Sequence, residues 1–550
     1  RAGIYAQVLG LDRVGANDSF FELGGDSILS MQVVTRARAA GVLCRPRDIF
    51  VEQTVARLAR VAIVADDADV IDAGVGPVAA TPIVRWLLGQ QHTGPVEQFN
   101  QTVVVQAPAG VTEADVVALL QALLDRHAML RLRVDGDGAG GWSLTVPEPG
   151  AVDARGCLRA VEVLSEQALV EARSRLNPAA GAMVSALWVS STRRLVAIVH
   201  HLAVDGVSWR ILLEDLNLAW AQRRGGQPVV LPAPGTSFAR WASLLADYAH
   251  RADVVEQAPV WRQIAAVPPA LPAVQPAVDT YASAGTLLAQ LDVETTRMLL
   301  GEVPAAFHAG IHEILLIAFA LACAEFLGAG AAPVVVDVEG HGRQEDVVAP
   351  NEHVDLSRTV GWFTAKNPVA LNVGGLPWAQ VVAGEAGLGA VIKDAKEQLR
   401  SLPDGLTYGA LRYLNGDVDL DGSDPPIGFN YLGRLGAGPE ATGDAWAICE
   451  DGLSLIDASA RLPMPLAHTV ELNASTVDAE NGPYLHAGWK WAPSALDQAQ
   501  VSRLSRLWFD ALAGICAHVR GGGGGLTPSD VAAGLSQQQI DELQRQYADS

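Results

Sequence analysis

The sequence predicts an α+β multidomain chain: a small helical unit, then a much larger region of mixed α and β structure. Three observations predict it. Apolar residues recur at helical spacing over the first 60 residues or so. An Asp-, Ala- and Gly-rich run then breaks the pattern at 64–79. From Thr81 onward, short β-branched runs mix with amphipathic helical ones. The length of 550 residues exceeds one ordinary domain, and 49% apolar against 18% charged residues suffices for large cores.

The elements follow in order. The opening segment RAGIYAQVLGLD lacks the apolar centre and cleavage site of a signal peptide. It reads as the middle of a helix, as in a chain excised from something longer. In SILSMQVVTRARAAG, residues Ile28, Met31 and Val34 share a helical face, and Gly41 supplies a stop. RDIFVEQTVARLARVA repeats the helical period. FNQTVVVQAP, RRLVAIVHH and PVVVDVEGH read as strands. VTEADVVALLQALLDRH reads as a helix capped by Thr112 with acids in its first turn. The Pro/Ala-rich stretch 267–278 suggests a joint between lobes, GGGGG at 521–525 a flexible break, and LSQQQIDELQRQYA a terminal amphipathic helix.

Composition excludes several function classes. A net charge of −22 lacks the basic footprint of nucleic-acid binding. The most apolar run, 314–324, is too short to span a membrane and ends at Glu325. The five cysteines at 44, 157, 323, 449 and 516 form no CxxC pair. They are expected to be free core thiols in a reducing cytoplasm, with no zinc site.

Ser27 in LGGDS precedes an amphipathic helix. Asp26 or Ser27 could be a simple N-cap. Alternatively, an exposed serine there is a modification site, where a phosphate ester meets free backbone N–H groups and the positive helix end. The stretch FFELGGDSILSMQVVTRARAAG resembles the core motif of peptidyl carrier domains of nonribosomal peptide synthetases. The match runs through Phe20, Phe21, Leu23, Gly24, Gly25, Asp26, Ser27 and Gly41. The resemblance implies a small four-helix carrier domain over 1–63, with 4′-phosphopantetheine on Ser27. Asp before Ser, where many carriers have His, is a variant typical of carriers that precede epimerization domains.

His200 and His201 end a strand-like run, so their side chains point to opposite faces. Both could be structural, and a metal site is poorly served by this geometry. HHLAVDGVSW resembles the central HHxxxDG motif of the condensation-domain superfamily. That superfamily includes condensation, epimerization and cyclization domains and, more distantly, chloramphenicol acetyltransferase. The resemblance makes His201 the active-site residue. It makes Asp205 mainly structural, through an ion pair whose partner the sequence does not reveal. His200 and Ser208 are supporting positions.

Later segments separate the members. DVEGHGRQ at 337–344 resembles the epimerization-specific EGHGR motif and places Glu339 at a strand end. On its own, EGHGR could equally be a loop ion pair of Glu339 with Arg343. RTVGWFTAKNPVAL, GLTYGALRYL, GFNYLGR and TPIVRWLLGQ match further motifs of that domain. Asn430 and Tyr431 fall in GFNYLGR and could alternatively form a simple turn. The chain departs from the pattern at Leu87 and Leu88, where aromatics are common, at Lys366–Asn367, which replace a more usual aromatic, and at GLTYG, which loses a glycine.

The resemblance implies a two-lobed, chloramphenicol-acetyltransferase-like α/β epimerization domain over 80–525. Its lobes are expected at about 80–265 and 280–525, with a tail at 526–550. It implies epimerization of the Cα of an L-aminoacyl or L-peptidyl thioester to a D/L mixture. Glu339 would be the principal acid/base, its pKa raised by partial burial. His201 would be a second proton carrier or a donor to the enolate. Asn430 and Tyr431 would orient the thioester or its arm. Expected partners are a phosphopantetheinyl transferase, an upstream adenylation domain and a downstream condensation domain or synthetase, with the chain itself a monomer. The main alternative is a condensation domain forming an amide bond. A docking module and a free acyltransferase are further alternatives.

Overall fold

Four helices open the chain: α1 (Ala2–Leu9), α2 (Ser27–Ala39), α3 (Pro46–Glu52) and α4 (Val55–Val61). The computed structural model describes residues 2–25, 27–40, 42–44, 46–64, 72–90, 96–136, 141–233, 235–330, 332–350, 352, 354–420, 422–435, 444–449, 462–479, 481–531 and 535–548. Tyr5, Leu9, Phe20, Leu29, Val33, Ile49 and Leu58 bury one small core among the four helices. RDIFVEQTVARLARVA is two helices rather than one. Gln53 takes φ 54° between them, and Thr54 caps the second through its hydroxyl, which accepts from Arg57 N at 3.3 Å. Of the expected 64–79 linker, residues 65–71 lie outside the described residues; Gly76–Val78 near its end pairs with Trp142–Val146 in a small sheet.

The first half of the larger region supplies α5 (Pro82–Gln90), β1 (Asn100–Gln106), α6 (Glu113–Arg126), β2 (Leu158–Val161), β3 (Val184–Val189), β4 (Arg194–His200) and α7 (Gly206–Arg224). Thr112 and Asp115 close a full capping box on α6, as the sequence predicts. The second half supplies β5 (Gly285–Leu291), α8 (Ile311–Leu327), β6 (Val334–Gly340), β7 (Ala365–Leu371), α9 (Ala386–Ser401), α10 (Gly405–Leu414), β8 (Ile427–Leu435), β9 (Ala447–Ile448), β10 (Val470–Ala479), β11 (Gly482–Trp491), α11 (Gln498–Arg520) and α12 (Gln537–Ala548).

The second sheet has the order β5-β11-β10-β8-β6-β7. Its central pairs β10/β8 and β8/β6 are parallel, and the outer pairs are antiparallel. One face buries Val334, Val336 and Val338 of β6 against α8 and α11. Strand alternation then puts Asp337 and Glu339 on the other face. This second face is polar and carries the candidate site.

The first sheet has the order β9-β1-β4-β3-β2. Its edge strand β9 comes from the second half of the chain and pairs antiparallel with β1. The first core likewise draws on Val348, Leu356, Trp362, Phe363, Leu406, Leu411, Trp446, Leu462 and Met464. Residues 267–278 carry no helix or strand. The expected division of the lobes near 265–280 is nonetheless crossed by later segments that return to complete the first lobe.

The glycine run 521–525 is not a flexible break. Gly525 N donates to Ala306 O at 2.8 Å, and Gly523 N donates to His518 O at 2.9 Å. Beyond it, Asp530 pairs with Lys396 at 2.6 Å and Arg400 at 2.7 Å, and Lys396 is wholly buried. Among the described residues no single helix is long and apolar enough to cross a membrane.

Candidate active site

The EGHGR loop and the HHxxxDG turn are locked together. Asp205 caps α7, accepting from Ser208 N at 2.8 Å. Its carboxylate also takes both arms of the Arg343 guanidinium, at 2.6 and 3.2 Å, and Phe363 N at 3.2 Å. Arg343 in turn lies 3.9 Å from the centroid of the Phe363 ring. Ser208 Oγ accepts from Gly361 N at 3.1 Å, which fixes the 359–363 segment beside the pair. Gly342 makes the turn possible: its φ is +67°, and a Cβ there would fall 1.8 Å from Phe363 O. Arg343 is thus the ion-pair partner of Asp205 and does not pair with Glu339 as the loop reading of EGHGR supposed.

The two histidines diverge as the strand end requires. His200 is buried, with Nε2 2.9 Å from Val96 O and Nδ1 accepting from Leu202 N at 3.2 Å. His201 starts the next turn and lies in an aromatic slot. Phe99 stacks on it at 5.0 Å and 12°, and Trp362 approaches at 4.3 Å. Its Nε2 is 2.9 Å from Gln101 Nε2. Burial pulls its pKa down to about 4. The wall continues from Trp362 to Trp86, 6.4 Å away, and Lys366 Nζ sits 4.4 Å from the Trp86 centroid.

Lys366 leads to Glu339, because the two stand opposite each other in the β6/β7 register. On the other side Asn430 is its β8 partner and donates to Glu339 Oε2 at 3.1 Å. Glu339 keeps some exposed surface although protein surrounds its carboxyl, and burial pushes its pKa up to about 7. The opposing pull comes from the Lys366 charge. Tyr431, next along β8, faces the other way: its hydroxyl lies 2.9 Å from Thr476 Oγ1 in the second core. It therefore supports the sheet from behind and does not orient a bound arm.

Beneath Glu339 lies a buried charge network that sequence reasoning missed. His468 Nε2 is 2.8 Å from Asp337 Oδ2, and its Nδ1 is 3.2 Å from Glu471 Oε2. Lys366 Nζ is 2.9 Å from the same Asp337 oxygen. His468 reaches across β8 only because position 428 is glycine, where a Cβ would fall 2.5 Å from its Nδ1. Burial depresses the His468 pKa, but the two carboxylates outweigh it and hold it at about 9. Asp337 and Glu471 sit correspondingly low, at about 2. Strand alternation in VVVDVEG could have flagged Asp337, since it shares a face with Glu339. No local signal marks His468, Glu471 or Gln101.

Ser27 is the first residue of α2, whose first turn holds no acidic side chain to repel a phosphate. The preceding turn is closed by Gly25 N to Phe20 O at 2.9 Å. Asp26 lies outside the described residues. The Gly24 turn abuts the second lobe: a Cβ there would lie 3.6 Å from Arg434 Nη1 and 3.8 Å from Leu300 O.

The chain belongs to the condensation-domain family, whose model, described as Condensation domain, matches residues 78–518. Residues 2–62 match the family described as Phosphopantetheine attachment site. The chain therefore joins a carrier, which bears 4′-phosphopantetheine on a serine, to a condensation-superfamily enzyme domain of a nonribosomal peptide synthetase.

One of the linear gramicidin synthase proteins of Brevibacillus parabrevis is 34% identical over 574 residues, covering 98% of this chain and 7% of that protein. Surfactin synthase subunit 2 of Bacillus subtilis (strain 168) is 34% identical over 451 residues, covering 79% of this chain and 12% of that protein. The chain thus spans about a tenth of the length of such curated relatives. The crystal structure of the epimerization domain from the third module of tyrocidine synthetase B is similar at TM-score 0.70 and 25% identity, covering 82% of this chain and all of that one. The first condensation domain of the calcium-dependent antibiotic synthetase shares the fold at TM-score 0.56 and 16% identity, over 80% of this chain and 96% of that one.

Proposed function

We propose that the chain is a carrier–epimerization didomain: it interconverts the L and D forms of an aminoacyl or peptidyl thioester tethered to Ser27. The observation that carries this reading is Glu339, a carboxyl held near pH 7 on the polar sheet face, with Asn430 on one side and Lys366 on the other. Epimerization removes a Cα proton and returns one to the opposite face. A group near pH 7 serves both directions, because both of its protonation states are populated at neutral pH. The likeness to the tyrocidine synthetase epimerization domain supports the same reading.

When attached, the phosphopantetheine thiol supplies a thioester, which acidifies the neighbouring Cα–H. The chain's residues do the rest. Glu339 takes or returns the proton at one face of Cα. Asn430 orients the Glu339 carboxyl. His201, in the aromatic slot of Phe99 and Trp362, is the second proton carrier, its Nε2 taking or returning the proton at the other face of Cα. Asp205, Arg343 and Ser208 hold the two catalytic loops in register. Ser27, at the start of α2, receives its arm from a phosphopantetheinyl transferase. An adenylation domain upstream loads the arm, and a condensation domain downstream takes the D form. On this reading the carrier spans 1–63, the linker 64–79 and the epimerization domain 80–525.

The test is to load Ser27 with an L-aminoacyl arm deuterated at Cα, release it, and read deuterium loss and chirality. Loss of deuterium with mixed D and L product is expected, cut by about 10²-fold or more in Glu339→Gln. Retained deuterium with pure L product for several amino acids and a dipeptide overturns the reading. Amide formation with an acceptor carrier would then be the next assay, since condensation domains share the fold.

A further inference from the structure

Gln101 lies on β1, opposite Val199 of β4, and its amide bridges two rings. Its Oε1 is 2.7 Å from Trp209 Nε1, and its Nε2 is 2.9 Å from His201 Nε2. An indole N–H can only donate. The oxygen of Gln101 must therefore face Trp209, because the flipped amide would set two N–H groups against each other at 2.7 Å. That leaves the amide NH2 facing His201, and it too can only donate. His201 Nε2 must then accept. It then carries the lone pair, which leaves the imidazole proton to Nδ1, a buried atom without a hydrogen-bond partner among the described residues.

We propose that Gln101 is a positioning residue: braced by the Trp209 indole, its amide holds His201 as the neutral Nδ1–H tautomer. The ring cannot turn away easily, since Phe99 and Trp362 flank it. Burial acts in the same direction as the amide, disfavouring the imidazolium. The titratable groups that act on the ring are His200 at the end of β4 and Asp205 in the following turn. The Asp205 charge is already engaged by Arg343 from the EGHGR loop. One group of the pair then changes protonation near neutral pH in the resting site, and it is Glu339. His201 acts as a fixed polar contact until substrate displaces the amide.

The consequence for catalysis rests on the epimerization reading, whereas the tautomer does not. The experiment therefore reads both. Histidine-15N-labelled full chain is followed by two-bond proton–nitrogen NMR across pH, with His201 assigned from the His201→Ala spectrum. The native chain is expected to show Nε2 unprotonated from about pH 6 to about pH 8. Gln101→Glu keeps an acceptor for Trp209 but offers His201 a carboxylate, so both ring nitrogens should be protonated at neutral pH. Gln101→Leu should move the Nε2 signal toward that of a free acceptor. A native Nε2–H signal, or His201 signals that neither variant moves, would overturn the proposal. Cα-deuterium exchange is measured on the same samples, with at least a tenfold fall at neutral pH expected for Gln101→Glu, the order of ~10-fold or more that a mispositioned proton-transfer group costs. If the native tautomer is as expected but no chain exchanges deuterium, the positioning role stands and the epimerization reading falls.

Discussion

Lys366 stands opposite Glu339 across the β6/β7 pair, with its ammonium 2.9 Å from Asp337 Oδ2. Its positive charge favours the Glu339 carboxylate and so opposes the effect of burial. Glu471 and Asp337 push the Glu339 pKa upward, and His468 assists Lys366 in pulling it down. Lys366→Met should therefore move the Glu339 titration up from about 7. If Glu339 is the epimerization acid/base as proposed, the pH–rate limb that needs its carboxylate should shift to higher pH, as read by Cα-deuterium exchange. Lys366→Arg retains the charge and should leave that limb near its native position.

The Asp205–Arg343 pair is buried on both sides, with side-chain exposures of 6% and 0%. Removing one partner leaves the other charged and unpaired in the protein interior. Arg343→Leu should cost about 3–5 kcal/mol of stability in denaturant unfolding. The Asp205→Asn, Arg343→Leu double variant should lose less than the sum of its single changes.

His468 gives the fold a pH dependence of definite sign. Its pKa rises from an ordinary 6.5 to about 9 on folding, so the folded state holds the proton more tightly. The stabilisation is complete below about pH 6.5 and is lost as pH rises through about 9. Its size is on the order of 2–4 kcal/mol, from about 1.4 kcal/mol per pKa unit. Melting temperature should fall between those pH values in the native chain and fall much less in His468→Gln.

Asp530 neutralises Lys396, a lysine with no solvent exposure that also donates to Phe307 O at 2.7 Å. Asp530→Ala leaves that ammonium buried with only a carbonyl partner. A loss of about 3 kcal/mol is expected. Faster amide exchange confined to 523–531 would identify the clasp as the element released.

What was legible in the sequence was mostly local. Helical spacing found α2, the alternation rule sent His200 and His201 apart, and Thr112 announced α6. The EGHGR resemblance put Glu339 at the end of a strand. The rest depends on partners far along the chain. Asp205 meets Arg343 from 138 positions further on, and His468 crosses Gly428 to reach Asp337, 131 positions back. Lys366 is a departure from pattern until the strand register sets it against Glu339. Tyr431 was misplaced because adjacent strand residues point apart, so a site including Asn430 could not also include it. The glycine run reads as flexible on composition alone, yet the Ala306 carbonyl holds it.

The return of β9 to the edge of the first sheet has a consequence for anyone dividing this protein. A cut in the Pro/Ala-rich stretch 267–278 looks natural, but the upstream fragment would lack Trp446, Leu462 and Met464 of its own core and the strand that covers β1. Expressed alone, it would present an open sheet edge and an unfilled apolar interior, both of which invite self-association. Expressed beside its complement, it has a template to fold upon. The two lobes are thus one folding unit, to be expressed whole.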